Sequence, residues 1–206
     1  MPGLIGRKIG MTRIFDEAGS QIPVTVIEAG PCPVVQVRAE SDNGGVRAIQ
    51  LGFGARKEKH ATRAQIGHAS RAGLEAAPRV LRDFRMEDGE EYEVGQQLTV
   101  EVFEAGDRVK VTGQSKGRGF QGVVKRHGFT GRPGGHGHPM SRNPGSIGPG
   151  TNPSRVIKGK KLPGRMGGTR TSIRNIQVVR VDPERNLLFV KGGVPGARDG
   201  YVLISK

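Results

Sequence analysis

The sequence has few of the features that would place it in several common classes of protein. Its single cysteine, Cys32, cannot form an internal disulfide or a thiolate metal cluster, and we interpret it as a small buried side chain. No apolar run approaches the roughly 20 residues of a membrane span, and residues 1–8 lack the apolar stretch of a signal peptide. We therefore expect a cytoplasmic protein.

Acidic residues are missing from a long internal stretch. Between Asp107 and Asp182 there is no Asp or Glu in 74 residues, which carry 16 Lys or Arg. Residues 1–109 contain 14 basic and 16 acidic side chains, whereas residues 110–206 contain 19 and 3, so the second half supplies the whole net charge of +14. Because a block of like charges repels itself, we expect a polyanion to neutralise it.

Outside this block the pattern is that of a β-rich domain. A turn-like segment separates residues 11–15 from residues 21–29, and apolar and polar side chains alternate along residues 21–29. This arrangement predicts a hairpin. Thr62 can cap a helix, and small or aliphatic residues up to Pro78 predict one or two short helices. We expect further strands at residues 34–38, 46–53, 79–84, 97–103, 108–112, 172–181, 187–191 and 201–205, and turns at 42–45 and 182–186.

Many short strands with Gly- and Pro-rich turns predict a mainly β (α+β) fold, as a closed barrel or a sandwich. Residues of roughly 114–170 are inserted into it. We call this inserted segment the basic arm.

The basic arm has too little apolar surface to fold by itself. Residues 113–168 contain 16 glycines, 6 prolines and ten apolar residues without a helical or strand period. Ordering the backbone costs about 1–2 kcal/mol per residue, so we expect the segment to be mobile or extended in isolation and to fold against an RNA. Its lysines and arginines would contact phosphates, and its glycines would let the backbone approach the sugar-phosphate chain.

The composition of the arm favours RNA over DNA. A DNA reader usually presents a helix to the major groove, and nothing helical stands out among these basic residues. An irregular Gly-rich arm suits the crevices of a folded RNA, where Phe120, Phe129 and the histidines could stack bases at only a few points. The candidate RNA-binding residues are Lys116, Arg118, Lys125, Arg126, His127, Arg132, His136, His138, Arg142, Arg155, Lys158, Lys160, Lys161, Arg165 and Arg170.

Three other patterns in the arm are weaker. Residues 117–122 fit GxGxxG, but a dinucleotide fold needs an amphipathic helix after them and an acid about 20 positions on, and neither is expected here. The three histidines of the arm lack the Cys, Asp or Glu that usually complete a metal site. Ser115 and Ser141 have no recognisable base and orienting acid, so the sequence indicates neither an enzyme nor a cofactor.

A series of ordered motifs runs along essentially the whole chain. The longest is GQSKGRGFQGVVKR at residues 113–126. The others are GRKIGMT at 6–12, IPVTV at 22–26 followed by GPCP at 30–33, PGSIG at 144–148, KGKKLPGRMG at 158–167 and NLLFVKGGVPG at 186–196. Together they resemble the bacterial members of the universal ribosomal protein uL3 family, and the longest is similar to the family signature.

The resemblance implies a six-stranded barrel of the translation-protein type from residues 1–113 and 170–206, with a small α/β insertion at about residues 55–95. Residues 114–169 would be an extended arm that penetrates the rRNA of the large (50S) subunit. Members of the family bind 23S rRNA near its 3′ end, help nucleate subunit assembly and extend toward the peptidyl-transferase centre. Their expected neighbours are large-subunit ribosomal proteins fourteen and nineteen, with no membrane and no small-molecule substrate. Carried over by position, the tip of the arm is Pro144, Gly145, Ser146, Ile147, Gly148, Pro149, Gly150 and Thr151.

The sequence departs from the family pattern at three places. Lys110 stands where Asp or Asn is usual, and His127-Gly128-Phe129 replaces the usual Trp-Asn-Phe, which removes an indole that could stack. Pro149-Gly150-Thr151 replaces a Gln-Asn-Gln run whose last glutamine is methylated in some bacteria. Because no amide is present there, we predict no such modification.

A free-standing RNA chaperone is the alternative function, because a basic arm could also engage many RNAs transiently. Stable co-migration with large subunits would disfavour it. A phosphate-handling enzyme that uses the Gly-rich loop is a distant third, and specific nucleotide binding would revive it.

Overall fold

The computed structural model describes residues 3–40, 46–87 and 89–206. The turn predicted at residues 42–45 lies outside them. The chain divides into two compact units, of which one combines Met1–Gln114 with Arg170–Lys206 and the other is Ser115–Thr169. We call the first the barrel unit, and the name basic arm refers from here on to Ser115–Thr169.

Strands dominate the described residues, which confirms the prediction of a mainly β chain. The strands are β1 (Leu4–Phe15), β2 (Gln21–Ala29), β3 (Cys32–Arg38), β4 (Ala48–Ala55), β5 (Pro78–Arg85), β6 (Gln97–Leu98), β7 (Arg108–Gln114), β8 (Phe120–Gln121), β9 (Gly164–Arg165), β10 (Arg170–Asp182), β11 (Leu187–Lys191) and β12 (Tyr201–Ser205). The helices are α1 (Arg63–Arg71) and α2 (Val123–His127), and short 3-10 turns lie at Glu58–His60 and Val100–Val102.

Six strands of the barrel unit close into an antiparallel barrel in the order β1-β12-β7-β10-β11-β2. Closure occurs at β1, where Leu4 is opposite Ile204 of β12 and Gly6 is opposite Ala29 of β2. Alternate side chains of the strands face inward, and Leu4, Ile204 and Leu188 are completely buried. The apolar alternation in the sequence therefore supplies the interior of the barrel.

A second sheet in the same unit has the order β5-β4-β3-β6. Ile49 and Leu51 of β4 belong to the same buried cluster as the barrel interior. Phe53 meets Tyr201 of β12 edge-on, with 6.1 Å between the ring centroids. The barrel and this sheet thus share one hydrophobic core.

Helix α1 begins as the sequence predicts. The side chain of Thr62 accepts a hydrogen bond from the amide of Gln65, and the side chain of Gln65 accepts one from the amide of Thr62. This reciprocal pair is a capping box, which satisfies amides that the first turn of a helix leaves free. No helix of the described residues has the length and apolar character needed to cross a membrane.

Two predictions of secondary structure are wrong. The strand expected at residues 97–103 ends at Leu98, and Val100–Val102 form a 3-10 turn. Val100 and Phe103 are both buried, and a turn with three residues per revolution places residues three apart on the same side. Helix α2 lies among basic residues where no helix is expected. Its sequence shows no helical pattern because the helix is short and rests on a single buried side chain, Val123.

Candidate nucleic-acid interface

The basic arm begins and ends in a short two-stranded ribbon. Strand β8 pairs antiparallel with β9, so that Phe120 lies opposite Arg165. Next to this pair, the amide of Arg118 donates to the carbonyl oxygen of Met166 at 2.8 Å. The amide of Met166 donates to the carbonyl oxygen of Gly119 at 2.9 Å. The ribbon therefore joins the family signature at the start of the arm to the last motif of the arm.

A glycine makes the closest approach in this ribbon. Gly167 has a φ of +72°, and a Cβ atom there would clash with the carbonyl oxygen of Lys116. At the mouth of the ribbon, the amide of Ser115 donates to the carbonyl oxygen of Thr169 at 2.9 Å, and its hydroxyl donates to the same oxygen at 3.2 Å. The hydroxyl of Ser115 is thus part of the ribbon.

The GxGxxG pattern at residues 117–122 forms one side of this ribbon. The carbonyl oxygen of Gly119 is bonded to the opposite side of the ribbon, so this stretch is not an open phosphate-binding turn. The helix that follows it, α2, has five residues. It is therefore far shorter than the helix of a dinucleotide fold.

Helix α2 uses two of the predicted RNA-binding residues for contacts inside the arm. Val123 is 1% exposed, and Gly128 ends the helix with a φ of 73°. Nη1 of Arg126 donates to the carbonyl oxygen of Leu162 at 2.7 Å. Nε2 of His127 lies 3.1 Å from the same oxygen and must carry a proton to donate to it, because a carbonyl oxygen only accepts. Both side chains hold α2 against the segment before β9.

The other two histidines lie in a loop closed by a hydrogen bond of 2.9 Å from the amide of Arg132 to the carbonyl oxygen of Ser141. Nδ1 of His138 accepts from the amide of Met140 at 3.1 Å, and His136 is exposed. In the part of the chain that the structure describes, no three His, Cys, Asp or Glu side chains are grouped closely enough to hold a metal ion.

The tip predicted from the resemblance, residues 144–151, is exposed throughout. The hydroxyl of Ser146 donates to the carbonyl oxygen of Gly148 at 3.1 Å. Pro144 and Gly145 line an open cleft of about 430 Å³ together with residues 128–132. Apart from Arg132, the residues that line the cleft are uncharged.

The charges of the arm have no counterion within the arm, since its 55 residues contain 11 Lys or Arg and no acid. Ten of these basic side chains are exposed, and Arg126 is half-buried. Arg170, the remaining basic candidate, is the first residue of β10 in the barrel unit and is also exposed. The exposed ones are Lys116, Arg118, Lys125, Arg132, Arg142, Arg155, Lys158, Lys160, Lys161 and Arg165. Such an array creates a positive potential that attracts a polyanion.

Glu28 and Asp107 of the barrel unit pair with cations of the same unit. Arg7 forms a two-nitrogen contact with Glu28, with distances of 2.8 Å from Nε and 2.7 Å from Nη2. The hydrogen bond and the charge of Glu28 raise the pKa of Arg7. Lys206 pairs with Asp107 at 2.7 Å, and this bond lowers the pKa of Asp107.

The fold and the site define a β-barrel protein that carries an acid-free basic segment between two paired barrel strands, β7 and β10. The model of the family described as ribosomal protein L3 matches residues 82–187, a range that includes both strands and the whole arm.

Curated relatives match almost the whole chain, and each is named large ribosomal subunit protein uL3. The relative from Brachyspira pilosicoli is 52% identical over 206 residues, which are 100% of this chain and 94% of the relative. The relative from Gloeobacter violaceus is 54% identical over 203 residues, covering 98% of this chain and 94% of the relative. The relative from Geobacillus thermodenitrificans is 54% identical over 202 residues, with the same coverage. The chain therefore belongs to the ribosomal protein L3 family, which confirms the resemblance.

Proposed function

We propose that this chain is a structural constituent of the large ribosomal subunit and that its basic arm binds 23S rRNA. The relatives are named as proteins of that subunit. The observation that carries the RNA part of the proposal is the charge of the arm. It supplies +11 of the net +14, with no acid in 55 residues and ten of its eleven cations exposed.

In this proposal the barrel unit and the basic arm have different roles. The six-stranded barrel, of the translation-protein type, anchors the chain near the 3′ end of the rRNA, and the arm penetrates the subunit. Its tip, residues 144–151, approaches the peptidyl-transferase centre, and binding of the arm helps to nucleate assembly. Large-subunit proteins fourteen and nineteen are the proposed neighbours. The small α/β insertion of this proposal lies at about residues 55–95, and the protein acts in the ribosomes of the cytoplasm.

RNA suits the arm for a physical reason beyond net charge. The exposed lysines and arginines of the arm can neutralise many phosphates of one RNA. Each neutralised phosphate releases counterions, which favours binding. The arm has few apolar side chains with which to form a protein interface. The parts of the arm outside the ribbon and α2 are expected to gain their final order from the RNA that surrounds them.

A deletion of the arm tests the proposal. Gln114 and Arg170 are direct partners in the ladder between β7 and β10, and Ser115 is bonded to Thr169. Residues 116–168 can therefore be replaced by Asn-Gly, which closes a two-residue hairpin. We expect this variant to melt cooperatively and to bind a 23S rRNA fragment much more weakly than the full chain, with a flatter dependence on salt.

The control is a full-length variant in which Lys158, Lys160 and Lys161 are changed to Gln. It should lose affinity and salt dependence in part, because it retains the remaining cations of the arm. A deletion variant that does not fold, or one that binds RNA as tightly as the full chain, contradicts the proposal.

Sedimentation separates this proposal from the RNA-chaperone alternative. We expect the tagged chain to stay with large subunits through a sucrose gradient at high salt. Recovery only from the top of the gradient would favour the chaperone and would contradict a role as a structural constituent.

A further inference from the structure

Phe120 has the most exposed of the large apolar side chains in the basic arm. Its side chain is 74% exposed, compared with 60% for Ile157 and 55% for Met140. A phenyl ring normally stabilises a folded chain by leaving water, so a ring held in solvent gives up that stabilisation. The exposure leaves the ring free to contact a partner outside the chain.

The backbone around Phe120 is nevertheless well bonded. Phe120 itself pairs with Arg165 across the ribbon, and Gly119 accepts a hydrogen bond from Met166. Val123, three residues further on, is 1% exposed. The ring is thus presented by an ordered element, which lowers the entropy cost of binding to it.

The surroundings of the ring are open and cationic. Arg165 lies directly opposite Phe120, so both side chains project from the same face of the ribbon, and both are exposed. Cβ atoms built at Gly117, Gly119 and Gly122 would have no neighbour within 4 Å. A flat ligand can therefore reach the ring from several directions.

We propose that Phe120 is a base-stacking residue of the arm, on which an unpaired nucleobase lies while Arg165 binds a phosphate of the same or the next nucleotide. This inference rests on the proposed function of the arm. A nucleotide supplies both partners that this site lacks, a flat face for the ring and an anion for the guanidinium. A protein partner would have to bring an apolar pocket and an acid together.

The site also gives a role to the GxGxxG pattern, which the dinucleotide interpretation does not explain. Gly119 and Gly122, which lie before and after Phe120, carry no side chain that could cover the ring. Aromatic stacking accepts every base because each has a π face, so this contact adds affinity with little sequence preference.

Full-length variants that change the ring without changing charge test the inference. The probe is an in vitro transcribed fragment covering the 3′ third of a bacterial 23S rRNA. We expect Phe120→Leu to weaken binding by roughly 5- to 150-fold, the range for loss of one stacked base. Since no cation is lost, the slope of log affinity against log salt should stay unchanged. Phe120→Tyr keeps a ring and should restore the wild-type affinity.

The matched control is Phe15→Leu, which changes a 66% exposed phenylalanine in β1 of the barrel unit and should weaken RNA binding far less than Phe120→Leu. Irradiation of the complex at short wavelength should attach a nucleotide to the peptide that contains Phe120. A purely structural role of the ring would not produce that adduct.

The outcomes distinguish this inference from the proposal on which it rests. If the wild-type chain binds the probe without salt dependence, the proposed function fails. If the wild type binds as expected but Phe120→Leu binds equally well, or changes the salt slope, only the stacking role is overturned. Cross-linking of this peptide to a protein in intact subunits would also overturn it.

Discussion

Nη1 of Arg126 donates a hydrogen bond of 2.7 Å to the carbonyl oxygen of Leu162. The guanidinium also lies against Gly164, where an added Cβ would be 2.5 Å from Nη1. A residue that the sequence assigns to RNA thus links two parts of the arm that are 36 positions apart. The number of cations in the arm is therefore larger than the number that we expect to contact phosphates.

The neighbours Lys125 and Arg126 should respond differently to loss of charge. Lys125 is exposed, so Lys125→Gln should weaken RNA binding and reduce the salt slope by about 0.7–0.9 for one lost phosphate contact. Arg126→Gln should instead speed amide hydrogen exchange in α2 and near Leu162 in the free protein, because the bond to Leu162 is lost. Equal exchange in the two variants would contradict this assignment.

Gly167→Ala should open the ribbon at the base of the arm. Its φ of +72° is unfavourable for alanine, and the new Cβ would clash with backbone atoms of Lys116, which cannot rotate away. Forcing a residue with a Cβ into this region costs about 1–3 kcal/mol. Hydrogen exchange at the amides of Arg118 and Met166 measures the effect. Gly117→Ala, where a Cβ has no neighbour within 4 Å, should leave these amides protected.

Cys32 should not react with thiol reagents in the folded protein. Its side chain is completely buried, its Sγ donates to the carbonyl oxygen of Ile5 at 3.3 Å, and burial raises its pKa to about 12. Because the thiolate is the reactive form, labelling with a disulfide reagent near pH 8 should require unfolding. A Thr151→Cys variant places a second thiol at an exposed position and should label at once, once per chain. Rapid labelling of the folded wild type would show that Cys32 is accessible.

Asp107 should make the stability of the barrel unit depend on pH. The bond from Lys206 lowers the pKa of Asp107 in the folded state. The amide of Glu104, which donates to Oδ2 of Asp107 at 3.0 Å, lowers this pKa further. Its stabilising contribution is present above the unfolded pKa and is lost as the pH falls through the lower folded pKa. Melting temperatures should therefore fall less for Asp107→Asn than for wild type between about pH 5 and pH 2. Glu17→Gln, at an exposed turn, is the charge-matched control and should follow the wild type.

Several strands could be predicted because their pattern is local. The bounds expected for residues 21–29, 187–191 and 201–205 are those of β2, β11 and β12. In each, apolar side chains alternate with polar or half-exposed ones, and turn residues mark the ends. The capping role of Thr62 could also be predicted from the sequence, since its partner Gln65 is only three residues away.

Elements that depend on distant contacts were harder to predict. Val100–Val102 contains the β-branched residues typical of a strand, yet the burial of Val100 and Phe103 selects a 3-10 turn. Helix α2 has neither a capping side chain nor a full amphipathic period. Its contacts with Leu162 come from a segment far along the chain.

Composition alone was enough to separate a nearly balanced part of this chain from a cationic part, and the ordered motifs were enough to assign the family. Charge adds up residue by residue, and motifs are contiguous, so neither requires knowledge of the fold. The order in which the six barrel strands pair, the inward bonds of Arg126 and His127 and the outward ring of Phe120 came only from three-dimensional contacts. The direction in which a side chain points depends on which distant backbone packs beside it, and no local pattern encodes that choice.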